Sequence, residues 1–179
     1  MKSPATFSDK LLLSIDTIAL KRTLVKGELL IKEGEIESNL YYVSSGALRV
    51  FLLTEYEEMT IRFGYEGSFI NSLSSFISQK PSEFYIEAIR KTTIQIISKD
   101  KLQEIIHQDA ESMEEYIALI ETLVTQQIER EIDLLTVSPS ERLKRVLARS
   151  PNLFQQIPLK YIASYLRMTP ETLSRVRNS

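Results

Sequence analysis

The sequence predicts an α+β protein: an N-terminal antiparallel β-roll, one long helix, and a C-terminal all-helical segment. Three observations carry this. Between Lys26 and Lys99 residues alternate with a period of two, and glycines punctuate the runs. From about Asp109 to Leu135 the apolar spacing changes to three and four. After Val137 helical patterns with prolines at their starts follow, in a stretch rich in arginine and lysine.

Residues 9–22 read as a short amphipathic helix, with Leu12, Ile15, Ile18 and Ala19 at helical spacing. The N-terminus does not read as an export signal. Lys2 precedes polar residues, and Leu11-Leu12-Leu13 is too short for an apolar signal core. In the roll, Leu48, Val50 and Leu52 alternate with Arg49, Phe51 and Leu53. Ile61 and Phe63 flank Arg62, Phe84, Ile86 and Ala88 alternate with Tyr85 and Glu87, and Ile94 and Ile96 continue the pattern. Gly27, Gly34, Gly46, Gly64 and Gly67 separate these runs. Short strands with such turns make an antiparallel barrel or roll.

Residues 99–108 read as a helix, followed by a much longer one over 109–135. Asp109, Glu111, Glu114 and Glu115 place acid at its start, where the helix dipole favours it. Met113, Ile117, Ile120, Val124, Ile128, Ile132 and Leu135 form an apolar stripe. A helix of about 40 Å outreaches a small barrel, so the stripe is expected to pack on its twin in a coiled-coil-like homodimer. The alternative is a core helix of a single subunit.

Ser138-Pro139-Ser140-Glu141 is a helix start: a capping serine, proline at the first helical position, and glutamate completing a capping box. Val137-Ser138 is therefore read as a hinge. This gives three units: a roll over 1–108, a dimerisation helix over 109–137, and a third segment over 138–179.

The third segment carries the functional signal. Pro158 suits a helix start, and Leu159, Ile162, Ala163 and Leu166 form one apolar face. After a three-residue break Thr169 is an N-cap and Pro170 opens a second helix, from which Leu173 and Val176 point inward. Two short helices joined by a tight turn make a helix-turn-helix. Exposed positions of the second helix are Glu171, Thr172, Ser174, Arg175 and the end residue Arg177. Arginine donates twice to guanine O6 and N7, glutamate accepts from a cytosine amino group, and a threonine methyl touches thymine. Lys160, Arg167 and Thr169 are placed for phosphates, which position a protein without reading sequence. The alternative is a helical hairpin with solvated charges, in which Glu171 and Arg175 pair along the helix.

Charge supports the first reading. The 179 residues carry 22 Lys+Arg and 24 Asp+Glu, a net −2. Residues 138–179 hold Arg142, Lys144, Arg145, Arg149, Lys160, Arg167, Arg175 and Arg177 against Glu141 and Glu171, a net +6. The remainder is −8. A basic segment on an acidic body suggests a polyanionic partner. There is no cysteine and one histidine, His107. That excludes thiolate clusters and Cys-based zinc sites, and it makes a catalytic triad or haem site a poor fit. No apolar run reaches the roughly 18 residues of a membrane span. No Gly-rich phosphate loop, metal spacing or nucleophile–base pairing appears, so an enzyme is not expected.

These residues together resemble the CRP/FNR family of bacterial transcription regulators, over about residues 9–179. In the roll the resemblance rests on Gly27, Gly34 and Gly46 around Tyr41-Tyr42-Val43, with Leu48-Arg49-Val50 following. At the C-terminus it rests on Thr169-Pro170-Glu171-Thr172-Leu173-Ser174-Arg175. The resemblance implies a cyclic nucleotide-binding-like roll (a double-stranded β-helix), dimerisation through the long helix, and binding to palindromic double-stranded DNA. It also implies a cytoplasmic location and RNA polymerase as a further partner.

Two departures matter. Family members that bind cAMP hold the ribose with a glutamate in a Gly-Glu-Leu stretch and the cyclic phosphate with an arginine before the next strand. Here the first stretch aligns with Asn71-Ser72-Leu73, within Gly67-Ser68-Phe69-Ile70-Asn71-Ser72-Leu73, and the arginine with Ser82, beside Glu83 and before Phe84. A buried phosphate without a cation costs several kcal/mol, so cAMP and cGMP are not expected to bind. The candidate pocket is Phe69, Asn71, Ser72, Leu73, Ser82, Glu83 and Phe84, and no cofactor is expected. Ser179 also follows Arg175 by only four residues, so a trailing wing is not expected. A sensor or scaffold without DNA binding is the rival function.

Overall fold

The computed structural model describes residues 19–178. Eight strands form two four-stranded sheets: β1 (Leu20–Leu24), β2 (Leu29–Ile31), β3 (Asn39–Ser45), β4 (Ala47–Leu53), β5 (Glu58–Tyr65), β6 (Phe69–Ile70), β7 (Tyr85–Ala88) and β8 (Thr92–Ser98). One sheet has the order β1-β8-β3-β6 and the other β2-β7-β4-β5, with antiparallel pairing throughout. Helix α1 (Leu73–Ser78) lies between β6 and β7. Then follow α2 (Lys99–Ile106), α3 (Ala110–Leu135), α4 (Pro139–Arg149), α5 (Leu153–Gln156), α6 (Leu159–Tyr165) and α7 (Pro170–Arg177).

The predicted roll, long helix and C-terminal helices are all present. The expected helix over 9–22 meets β1 instead at its end: residues 20–22 pair with Arg22 opposite Ile94, and residues 9–18 lie outside the described ones. Strand pairing outweighs the helical periodicity there, because Leu24 enters the roll interior and is fully buried. Helices α1 and α5 are too short to show a period in the sequence.

The roll interior is apolar: Leu24, Ile31, Tyr41, Val43, Leu48, Val50, Ile70, Ile86, Ala88 and Ile94. Leu48 and Val50 face it as the alternation predicts, but Arg49 and Phe51, on the opposite face of β4, are buried as well. The reason is tertiary. The C-terminal helices pack there: Tyr161 of α6 lies against Arg49, and Ala47 and Ile89 of the roll join Leu143, Val146, Leu153, Ile157, Tyr161 and Ile162 in one cluster. Gly46 permits the tight crossing from β3 to β4. Its φ is +94°, and a Cβ there would lie 2.5 Å from the Lys91 carbonyl oxygen.

A third cluster seats α2 and α3 against the roll through Leu40, Phe69, Phe76, Ile97, Leu102, Ile105, Ile106, Leu119 and Leu123. Asp109 caps α3 by accepting from the Ser112 amide at 2.8 Å. The backbone turns extended at Thr136, as the Ser138 cap predicts, and Ser138 accepts from the Glu141 amide. The packing is nevertheless continuous across this break, because α4–α6 are seated on β4 and β5.

Candidate nucleic-acid interface and ligand cassette

The two C-terminal helices meet through Ile162, Ala163, Leu166 and Leu173, all essentially buried. Leu159, expected on the same apolar face, is 44% exposed. It occupies the first turn of α6. The connecting turn is sharp because Arg167 adopts a left-handed conformation, with φ 54°. Thr169 caps α7, its Oγ accepting from the Thr172 amide at 3.2 Å, and Pro170 takes the first turn.

Glu171, Ser174, Arg175 and Arg177 are exposed on α7, and Thr172 is half-buried. Lys160 is exposed on α6, with its ammonium 4.4 Å from the Tyr161 ring centroid. The Arg177 guanidinium lies 5.0 Å from the Phe154 ring centroid. Among these exposed residues Lys160, Arg175 and Arg177 are basic and Glu171 is acidic. Burial lowers the pKa of Arg167, against a smaller opposing attraction from Glu57.

Three arginines counted in the basic segment have other work. Arg142 is buried and donates to the carbonyl oxygens of Thr136, Leu166 and Arg167, so it clamps the helix-turn-helix turn to the end of α3. Arg145 and Arg149 both pair with Glu129 and with fully buried Asp133 of α3. Sequence spacing could not reveal these partners, which lie 6–25 residues away in the chain.

Helix α6 is fastened to the roll. Ser164 Oγ accepts from the Thr60 amide at 2.9 Å and donates to the Glu58 carbonyl at 3.0 Å. Arg49 bridges Glu58 and Glu87 and stacks between the rings of Phe51 and Tyr161.

The cassette in the roll is closed on itself. Ser72 and Ser82 are buried, and their hydroxyl oxygens lie 2.8 Å apart. Ser82 also donates to the Phe84 carbonyl and accepts from the Phe84 amide. Asn71 is buried, with its amide nitrogen 3.4 Å from the Asn39 carbonyl. Phe69 belongs to the cluster under α2 and α3, with Leu73 packed against it, and Glu83 is exposed. Of the seven candidate pocket residues, these bonds bring Ser72, Ser82 and Phe84 together, while Phe69 and Leu73 belong to the α2–α3 cluster.

One residue here was not anticipated. Glu37 is fully buried and accepts from the Asn39 amide at 2.9 Å and the Tyr41 hydroxyl at 3.0 Å. Its second carboxylate oxygen has no partner. Burial raises its pKa, against the smaller downward pull of the Asn39 amide, the Tyr41 hydroxyl and the Ser72 and Ser38 amides. Burial also pushes the Tyr41 phenol well above its usual value, with the Glu37 charge adding to the rise.

On α3, Leu119 and Leu123 face the roll, with Met113 and Ile120 half-buried against the same cluster. Ile117, Val124, Ile128, Ile132 and Leu135 are exposed. The stripe is thus split between two faces, and the exposed part runs nearly the length of the helix.

Residues 21–109 match the family model described as a cyclic nucleotide-binding domain. The nitrogen fixation regulation protein FixK of Rhizobium meliloti (strain 1021) is 26% identical over 168 residues, covering 88% of this chain and 73% of FixK. The chain thus resembles the CRP/FNR transcription regulators. Solved structures repeat the fold. FixK2 from Bradyrhizobium japonicum superposes with a TM-score of 0.72 at 22% identity, covering 90% of this chain and 83% of that one. A CooA mutant from Carboxydothermus hydrogenoformans gives 0.73 at 18% identity, covering 97% and 79%. These two likenesses concern the fold alone. No helix among the described residues is long and apolar enough to cross a membrane, and no group of three or more His, Cys, Asp or Glu there could hold a metal ion.

Proposed function

We propose that this chain is a homodimeric, sequence-specific DNA-binding transcription regulator of the CRP/FNR type that does not respond to cAMP and is not an enzyme. Residues 1–108 form the sensor or scaffold roll, 109–137 dimerise, and 138–179 bind DNA. The observation that carries the reading is α7. It is capped by Thr169, anchored by fully buried Leu173, and presents Glu171, Ser174, Arg175 and Arg177 to solvent. The exposed Ile117, Val124 and Ile128 face supports pairing of two α3 helices. Two recognition helices related by a two-fold axis would enter successive major grooves about 34 Å apart, which favours a palindrome. Lys160, Arg167 and Thr169 hold phosphates, while Pro170, Glu171, Thr172, Ser174, Arg175 and Arg177 form or flank the reading surface.

The Ser72–Ser82 bond supports an absent cAMP response, since these two side chains stand where the ribose and phosphate holders would be. A cytoplasmic location and contact with RNA polymerase accompany this reading. Selection of bound DNA from a random pool by the full chain tests it. Enrichment of one palindrome is the expected result. No enrichment, together with no mobility shift on genomic fragments, would leave the sensor or scaffold reading instead.

A further inference from the structure

The connection between β4 and β5 carries Glu55 and Glu57, and Glu58 opens β5; all three are exposed. The turn is tight. The Thr54 amide donates to the Glu57 carbonyl at 2.9 Å, and the Glu57 amide donates to Thr54 Oγ1 at 3.1 Å. The Glu58 carboxylate is paired with Arg49.

This turn stands beside the helix-turn-helix. The Ser164 hydroxyl of α6 donates to the Glu58 carbonyl at 3.0 Å and accepts from the Thr60 amide at 2.9 Å. The Ser164 carbonyl accepts from the Arg167 amide at 3.1 Å. Two hydrogen bonds through Ser164 therefore join the backbone next to Glu57 to the backbone of Arg167. Arg167 is half-buried in the left-handed turn, two residues before the Thr169 cap of α7. Burial lowers its pKa, and the Glu57 charge pulls it back up.

We propose, on the DNA-binding reading above, that Glu57 restrains DNA binding by opposing the phosphate contact assigned to Arg167. A phosphate that approaches Arg167 meets a guanidinium already in the field of a carboxylate. Two anions then share one cation and repel each other. A phosphate contact carries no sequence information, so the restraint lowers affinity for every duplex alike. Glu57 thus sets overall affinity and leaves base discrimination to α7. Its carboxylate is exposed, so salt screens the effect.

The experiment titrates a fluorescently labelled random-sequence duplex with the full chain at low salt and reads anisotropy. Glu57→Gln should tighten binding about three- to tenfold, and the gain should shrink as salt rises. Glu55→Gln removes the same charge from the same turn and should gain less. In an Arg167→Gln background the Glu57→Gln gain should fall to that of Glu55→Gln. Unchanged affinity in Glu57→Gln, an equal gain in Glu55→Gln, or a gain undiminished without Arg167 overturns the restraint and leaves DNA binding standing. Absence of binding by parent and variants alike overturns the DNA-binding reading, and the restraint with it. If Arg167→Gln does not fold, the contrast between Glu57→Gln and Glu55→Gln, both at exposed positions, decides the matter.

Discussion

The hydroxyl oxygens of Ser72 and Ser82 lie 2.8 Å apart, and Ser82 is bonded in turn to both backbone groups of Phe84. This pair ties the start of α1 to the strand that follows it. The resemblance aligns these two positions with the carboxylate and arginine by which cAMP-binding family members hold the nucleotide. Calorimetry is expected to find no binding of cAMP or cGMP to the full chain, and micromolar affinity would overturn this. Ser82→Ala leaves the buried Ser72 hydroxyl without this partner and should destabilise the fold by about 1–3 kcal/mol, read by thermal unfolding.

Glu37 makes stability pH-dependent in a defined direction. Its carboxyl is raised above the ordinary 4.5 by burial, so the folded state holds its proton where the unfolded state has lost it. The penalty is full above the raised folded value. It fades as pH falls through that value and is gone below about 4.5. Glu37→Gln should therefore be more stable than the parent at neutral pH, with the difference shrinking toward pH 4.5. Denaturant midpoints of both proteins across this range decide it, and a constant difference would contradict the assignment.

On DNA, Arg175→Ala should lose about 1–3 kcal/mol of discrimination between the selected site and a mismatched one. Lys160→Ala should weaken both sequences alike. Four or so phosphate contacts per subunit predict a slope of about −7 for log K against log salt. If Arg175→Ala leaves specific and nonspecific affinities unchanged, the recognition surface lies elsewhere.

The exposed α3 face makes its own prediction. Val124 and Ile128 are each 51% exposed in the single chain, so Val124→Asp or Ile128→Asp removes no buried contact within it. Either change should convert a dimer to a folded monomer, seen as halved mass by sedimentation with unchanged helix content by circular dichroism. A mass unaffected by both changes would place the interface on another surface.

Much of this architecture was legible because it rests on local rules. Alternation marked β4, β5, β7 and β8, and the Ser138-Pro139 and Thr169-Pro170 pairs marked two helix starts that the structure reproduces. The expected helix reaching residue 22 gave way to β1, because the partner that decides strand pairing, β8, lies some seventy residues away. Glu37 gave no signal in the sequence. A glutamate after a turn looks solvated until the chain folds over it.

By itself the sequence determined the order of elements, the caps and the basic residues of α7. Each depends on residue types at short spacing. Only the tertiary structure decided where the charge goes. The net +6 of residues 138–179 reads as one polyanion-binding surface, yet Arg142 is spent on three backbone carbonyls, while Arg145 and Arg149 are spent on Glu129 and Asp133. Lys144, Lys160, Arg175 and Arg177 remain exposed. The physical reason is that a guanidinium at the end of a long side chain takes whichever acceptors the fold brings to it. Composition counts such charges, but only packing separates those that hold the domain together from those that face a partner.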